Sequence, residues 1–175
     1  DNLVKVVRES IDNGHKILIF TSFKKALDLV SQKLMEEGVR VYTIDGSVHS
    51  KKRMELVNKF NDGDDVYVFI ITLKSGGTGL NLTSADIVIH LDLWWNPQVE
   101  NQATDRAHRI GQKNVVEVVK LISKGTIEEK ILELQQKKKT LSDKLIEGDM
   151  RDTNLISSLT EKDIKKLLSY ENANE

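Results

Sequence analysis

Residues 73–112 read LKSGGTGLNLTSADIVIHLDLWWNPQVENQATDRAHRIGQ, and this stretch decides how the chain folds. It opens on a glycine-rich turn, Gly76, Gly77 and Gly79, directly after the apolar, β-branched run Val66 to Thr72. A second such run, Ile87 to Leu91, follows, and then a helical pattern that starts at Pro97, the only proline. A proline in the first helical turn costs little because its missing N–H has no partner there in any case. Gln102, Arg106 and Arg109 stand at i, i+4 and i+7, a spacing that predicts one shared helical face. From Asp62 to Gln112 the only basic residues are Lys74, Arg106 and Arg109, against the acids Asp62, Asp64, Asp65, Asp86, Asp92, Glu100 and Asp105. Cations this sparse belong to the motifs and not to a scattered solvated surface. A glycine-rich turn beside helix-borne arginines points to a phosphate site.

Outward from this stretch the same alternation of strand and helix recurs. Leu3, Val4, Val7 and Ile11 form one helical stripe, which Gly14 ends. Lys16 to Thr21 is a short apolar run, the pattern of a strand covered on both faces. Ser22 is placed to cap a helix with Ala26, Leu27, Val30, Leu34 and Met35 inward, closed by Gly38. Val39 to Ile44 reads as a strand and Asp45-Gly46-Ser47 as a turn. Ser50 is placed to cap a helix with Met54, Val57 and Phe60 inward, and residues 61–64 read as a loop. Val66 to Thr72, Ile87 to Leu91 and Val115 to Ile122 complete five strands. Strands separated by helices imply an α/β domain with a mostly parallel sheet. Thr126 to Glu129 reads as a capping box opening a helix with Ile127, Ile131, Leu134, Leu141 and Leu145 on a partly apolar stripe. Residues 148–154 read as a polar linker and Ser158 to Leu168 as a last short helix, with fraying beyond.

Composition narrows the class. The chain has 175 residues, 39% hydrophobic and 30% charged, enough for one soluble domain with a real core. A net charge of −1 gives no whole-chain case for nucleic acid, so any basic surface must be local. The absence of cysteine excludes disulfides and thiolate-held zinc or iron–sulfur sites. No run reaches transmembrane length and no signal peptide is visible. A start at Asp1, not methionine, is expected of a piece of a longer protein.

The motifs Ser75-Gly76-Gly77-Thr78-Gly79-Leu80-Asn81-Leu82, Asp92-Leu93-Trp94-Trp95-Asn96-Pro97 and Gln102 to Gln112 resemble motifs V and VI of the Swi/Snf family of helicase-like, DNA-translocating ATPases. LKSGGTGLNLT together with WWNP most resembles the bacterial branch, and the resemblance runs more loosely from Lys16 to Lys144. It implies a RecA-like three-layer α/β/α domain: residues 1–125 as the second motor lobe, 126–147 as a bracing helix, and 148–175 as linker and terminal helix.

The resemblance also implies roles for particular residues. Arg106 and Arg109 look like the motif VI arginines, which reach across a cleft and neutralise charge on the γ-phosphate of ATP held by the other lobe. Guanidinium suits this because it is permanently charged and forks onto phosphate oxygens. Gln102 either positions water or phosphate, or joins Asp105 in bracing the arginines; His108 holds local structure. Gly76, Gly77 and Gly79 permit positive φ and close approach to nucleotide, with Thr78 and Asn81 as side-chain donors. A Rossmann turn fails, because the G-x-G-x-x-G spacing and its acidic partner are missing. Thr21, Ser22, Gly46, Ser47, Lys74 and Ser75 fall at C-terminal ends of strands, where parallel sheets bind ligands, and are expected to contact DNA phosphates. Trp95 lies near the DNA backbone by resemblance; packing of both Trp94 and Trp95 is the alternative. Thr43 departs from the family's basic residue at its position. Lys137 to Lys139 either touch phosphates or form a solvated helix face.

No G-x-x-x-x-G-K-[ST] loop and no Walker-B-like acidic pair occurs, so the lysine and magnesium ligands of ATP hydrolysis are expected elsewhere. The resemblance therefore implies the second lobe of a two-lobed motor, inactive alone. ATP and Mg²⁺ would be held chiefly by an N-terminal RecA-like lobe, with double-stranded DNA as track and DNA-bound proteins as targets. It implies no metal site of the chain's own, no membrane partner, and a cytoplasmic, nucleoid-associated location. Two other readings stay open: a standalone nucleic-acid-binding or regulatory domain, and an unrelated α/β enzyme acting on a phosphorylated small molecule.

Overall fold

Ile17–Thr21 and Val68–Thr72 are buried at every position, as apolar β-branched runs in the middle of a two-faced sheet must be. The computed structural model describes residues 2–76, 80–93, 97–107, 115–123 and 125–136, with Gly76 and Pro97 described by backbone alone. β1 (Ile17–Thr21), β2 (Val41–Ile44), β3 (Val68–Thr72), β4 (Ile87–His90) and β5 (Glu117–Lys120) form one parallel sheet in the order β2-β3-β1-β4-β5. Register runs Ile17 opposite Val68 and Ile87, and Ile87 opposite Glu117. The chain leaves β1 toward β2 and β3 on one side and reaches β4 and β5 on the other. A switch of this kind opens a crevice at the strands' carboxyl ends.

Side-chain alternation splits the core between the two faces. Ile17, Ile19, Val68, Ile70, Ile87 and Ile89 pack with Val7 of α1 (Asn2–Asp12) and Leu27 and Leu34 of α2 (Lys24–Glu36). Leu18, Phe20, Phe69, Ile71 and Val88 pack on the other face with Val57 and Phe60 of α3 (Ser50–Asp62), Leu80, Leu82 and Ala103. The result is the RecA-like three-layer arrangement. α4 (Leu73–Gly76) is a single turn after β3, and α5 (Pro97–Thr104) follows β4.

Both early helices stop as glycine predicts. Gly14 and Gly38 each take φ +80°, and the N–H groups around them bond back to Ile11 and Ser10, and to Met35 and Leu34. The starts differ from expectation. The N-cap of α2 is Phe23 and that of α3 is His49, neither with a side-chain cap bond, so Ser22 and Ser50 do not cap. Met35 and Met54 are exposed, whereas Ser31 is buried in α2. α3 runs on to Asp62, so the loop begins at Gly63. β5 is shorter than its apolar run: it stands at the sheet edge and leaves Val115 and Val118 exposed.

Residues 122–175 with 93–96 make a second compact unit. Within it a helix occupies residues 127–136. The capping box forms one residue out of register: Thr126 Oγ1 accepts from the Glu128 N–H at 3.3 Å, and Glu129 Oε2 accepts from Gly125, not from Thr126. Ile127 is exposed. Gly77, Thr78, Gly79, Trp94, Trp95, Asn96, His108, Arg109, Lys137 to Lys139, the 148–154 linker and the last short helix lie outside the described residues.

Candidate functional site at the strand ends

Asp92, just past β4, organises the start of the site. Thr21 Oγ1 donates to its Oδ1 at 2.6 Å, and the Ser22 N–H donates to both carboxylate oxygens at 3.0 and 2.9 Å. Phe23 N–H donates to Thr21 Oγ1 at 3.2 Å, closing the turn from β1 into α2. This explains the displaced helix start, because the Ser22 backbone is committed to Asp92. Thr21, expected at the DNA, is fully buried, and its hydroxyl is engaged with Asp92. Ser22 Oγ is buried without a partner among the described residues.

At the end of β2 the Asp45 carboxylate accepts from the Ser47 N–H at 2.8 Å and from its hydroxyl at 2.5 Å, an Asx-type turn. It also pairs with Lys24 at the start of α2. The Lys24 hydrogen bond, then those from Ser47, pull the Asp45 pKa down to about 2, and the same bond raises that of Lys24. Gly46 presents an open face: a Cβ there would meet only Ser75 Oγ at 3.9 Å.

At the end of β3, Thr72 Oγ1 donates to Ser75 Oγ at 2.8 Å. Ser75 is buried at 4% exposure and its hydroxyl braces the turn, whereas Lys74 is exposed. Arg53, half-buried on α3, ties the two turns together. Its Nε donates to Val48 O at 2.7 Å, Nη2 to Asp45 O at 3.4 Å and Nη1 to Ser75 O at 3.4 Å. Ser22, Gly46, Ser47, Lys74 and Ser75 thus line one hollow of about 370 Å³, with Lys24, Asp45 and Thr72 completing the wall. A hollow of about 350 Å³ beside α1 and α2 is no rival: its charges are engaged with one another, Arg8 with Glu37 at 2.5 Å and Lys33 with Glu37 at 3.2 Å.

The motif helix departs from the expected face. α5 ends at Thr104, and Arg106 and Ala107 bond i→i−3, to Ala103 O at 3.1 Å and Thr104 O at 3.0 Å. Two things draw the chain out of α geometry: Ala107 is completely buried on the α3 side of the sheet, and the Arg106 carbonyl accepts from Leu82 N–H at 3.0 Å. Gln102 is exposed on the helix and Arg106 half-buried in the turn beyond it, so those two do not share a helical face. Gly76 is helical and not at positive φ. Asn81 is exposed, and its carbonyl accepts from Asn61 Nδ2 at 2.8 Å.

Sequence reasoning gave Asp92 a place in a motif but no role, and missed Arg53, Lys24 and His90. His90 is buried, stacked on Phe20 at 5.7 Å, and shares a hydrogen bond of 3.2 Å between Nε2 and Thr104 Oγ1. Burial, ahead of the opposing pull of Glu100, lowers its pKa and keeps it neutral. An acid directly after a buried strand was the available signal for Asp92. Among the described residues no cluster of metal-ligating side chains occurs and no helix is long and apolar enough to cross a membrane.

The helicase conserved C-terminal domain matches residues 1–111. The chain is 42% identical over 164 residues to an uncharacterized ATP-dependent helicase of Mycoplasma pneumoniae, covering 94% of this chain and 16% of that protein. It is 42% identical over 146 residues to helicase swr1 of Schizosaccharomyces pombe, covering 83% of this chain and 11% of that one. Among solved structures it is similar to the C-terminal part of the Fun30 ATPase domain. That likeness has a TM-score of 0.76 and 33% identity, over 95% of this chain and 50% of the other.

Proposed function

The chain belongs to the helicase conserved C-terminal domain family, among relatives of the Swi/Snf type, and on that premise we propose that it is the second motor lobe of an ATP-dependent double-stranded-DNA translocase. The observation that carries this is the hollow at the carboxyl ends of β1, β2 and β3. It gathers Ser22, Gly46, Ser47 and Lys74 from three separate turns, beside a second lysine, Lys24. The exposed Lys74 ammonium, with Lys24 beside it and the open backbone face at Gly46, suits phosphate oxygens, and contacts of this kind hold a duplex without reading its sequence. Asp92, Arg53 and Asp45 fix the turns in advance, so little order has to be gained on binding.

Toward ATP the chain's contribution is charge. Arg106 and Arg109 would supply guanidinium groups to the nucleotide's terminal phosphate, and Gln102 would position water or phosphate. Gly76, Gly77, Thr78, Gly79 and Asn81 would line the cleft. ATP itself supplies the phosphoryl group, with Mg²⁺ held chiefly by an N-terminal RecA-like lobe. The intact protein would use turnover to move along DNA and displace proteins bound to it, in the bacterial cytoplasm at the nucleoid. Residues 1–125 would form the lobe, and 126–147 a helix bracing it. The test is ATP turnover with and without duplex DNA, for the intact protein and for this chain alone. DNA-stimulated turnover only in the intact protein is the expected result; robust turnover by the chain alone would overturn the reading.

A further inference from the structure

α5 is short, and its apolar anchorage in the core is small. Among the described residues, α5 places Ala103 there, joined by Ala107 just beyond the helix. What reaches the sheet alongside them is polar. Glu100, 2% exposed, has its Oε2 2.6 Å from Nζ of Lys120 on β5. One turn later Thr104 shares its hydrogen bond with His90 on β4. Glu100 and Thr104 are i and i+4 on one helix face, and His90 and Lys120 are directly opposed register partners across β4 and β5. Two adjacent positions of the helix are thus keyed onto two adjacent positions of the sheet. A pair of alanines can slide or rotate on an apolar surface with little change in buried area. A buried carboxylate cannot, because leaving its ammonium strands a charge away from water.

We propose that Glu100 and Lys120, with Thr104 and His90, are positioning residues: they lock the rotation and register of α5 and so aim Arg106, which follows it. The carboxylate is buried while the Lys120 side chain is 31% exposed. Such a pair contributes little net stability against apolar residues of the same volume, and the best-supported use of a buried charge of this kind is to fix register. The inference rests on the proposed role of Arg106 and Arg109 and deepens it. Sequence spacing alone does not reveal it, because Glu100 and Lys120 lie on different elements and carry ordinary surface-type side chains.

The test uses the intact protein with Glu100→Gln, Lys120→Met, Lys120→Arg and the double variant Glu100→Leu/Lys120→Met, beside Arg109→Ala. Readouts are kcat and KM for ATP in saturating duplex, duplex affinity, and thermal unfolding. Glu100→Gln and Lys120→Met should lower kcat by about tenfold or more, with KM and duplex affinity within about twofold, the split expected when only transition-state contacts are misaimed. Lys120→Arg, which keeps the charge, should retain most of kcat. The double variant should melt like wild type yet keep the kcat deficit, because apolar residues restore packing but not register. Wild-type kcat in the double variant, or in both single variants while Arg109→Ala is inactive, overturns the anchor and leaves the motor reading standing. Full turnover in Arg109→Ala overturns both. If the double variant does not fold, Glu100→Gln against Lys120→Arg decides.

Discussion

The backbone of Arg106 is bound to the backbone of Leu82: the Arg106 carbonyl accepts the Leu82 N–H at 3.0 Å. One residue lies just past the glycine-rich turn and the other just past α5, so the two motifs are joined by main chain and not by side chains alone. A displacement of Leu82 would therefore act directly on the Arg106 backbone. The joint is held from below by Ala107 and Leu82, both completely buried in the same cluster.

Enlarging that contact should show the coupling. Ala107→Leu adds volume where none is available, and overpacking of this kind typically costs about 1–3 kcal/mol. Denaturant unfolding of the chain should show that loss. The intact protein, at a temperature where the variant stays folded, should lose turnover as well. Normal turnover in a folded Ala107→Leu protein would separate the joint from the chemistry.

Arg53 gives a second prediction. Its guanidinium serves the carbonyls of Val48, Asp45 and Ser75 across two turns. Arg53→Met keeps the stem but removes the donors of these part-buried bonds, at a cost of about 1 kcal/mol or more. The duplex concentration giving half-maximal ATPase stimulation should rise several-fold. Arg53→Lys should recover only part of this, since an ammonium lacks the planar fork. Unfolding curves and a duplex titration measure both effects.

The strand ends also set an acid limit. The folded pKa of Asp45 is about 2, below its ordinary 3.8, because Lys24 and Ser47 stabilise the carboxylate. A depressed folded pKa stabilises the protein above the unfolded value and the gain is lost as pH falls through the folded one. The stability difference between wild type and Asp45→Asn should therefore be constant above about pH 5 and shrink between about pH 4 and 2. Urea unfolding at several pH values checks this; a difference that does not change with pH contradicts the assigned partners.

Lys74, like Lys24, is exposed in the hollow, and Lys24 is paired with Asp45. Lys74→Ala in the intact protein should weaken duplex binding alike for every sequence and flatten the log–log salt slope by about 1, as loss of one phosphate contact does. Titrations of two unrelated duplexes at two salt concentrations measure it. A sequence-selective loss would point to base reading instead.

β1, β3 and β4 were legible because a strand buried on both faces is written as an unbroken apolar run, and α1 and α2 because Gly14 and Gly38 mark their ends. Helix starts were not: a serine before a helix reads as a cap, but the Ser22 backbone is taken by Asp92, 70 residues away. Met35 and Met54 continue helical stripes that outrun the width of the buried face. The hollow itself was readable from the rule that parallel sheets bind ligands at their carboxyl ends. Its bracing was not, because Asp92, Arg53, Glu100 and Lys120 act through partners set by tertiary packing. The Gln102–Arg106 face failed because a periodic pattern does not announce that burial of Ala107 ends the helix.

The most direct test of the motor-lobe reading is DNA-stimulated ATP turnover by the intact protein with Arg109→Ala and Arg109→Lys, each checked by thermal unfolding. An arginine finger acts on transition-state charge and is worth about 10³ to 10⁵ in rate. Arg109→Ala should melt like wild type and lose turnover by orders of magnitude, with Arg109→Lys rescuing poorly. Near-normal turnover in Arg109→Ala, or a loss that merely follows unfolding, would contradict it.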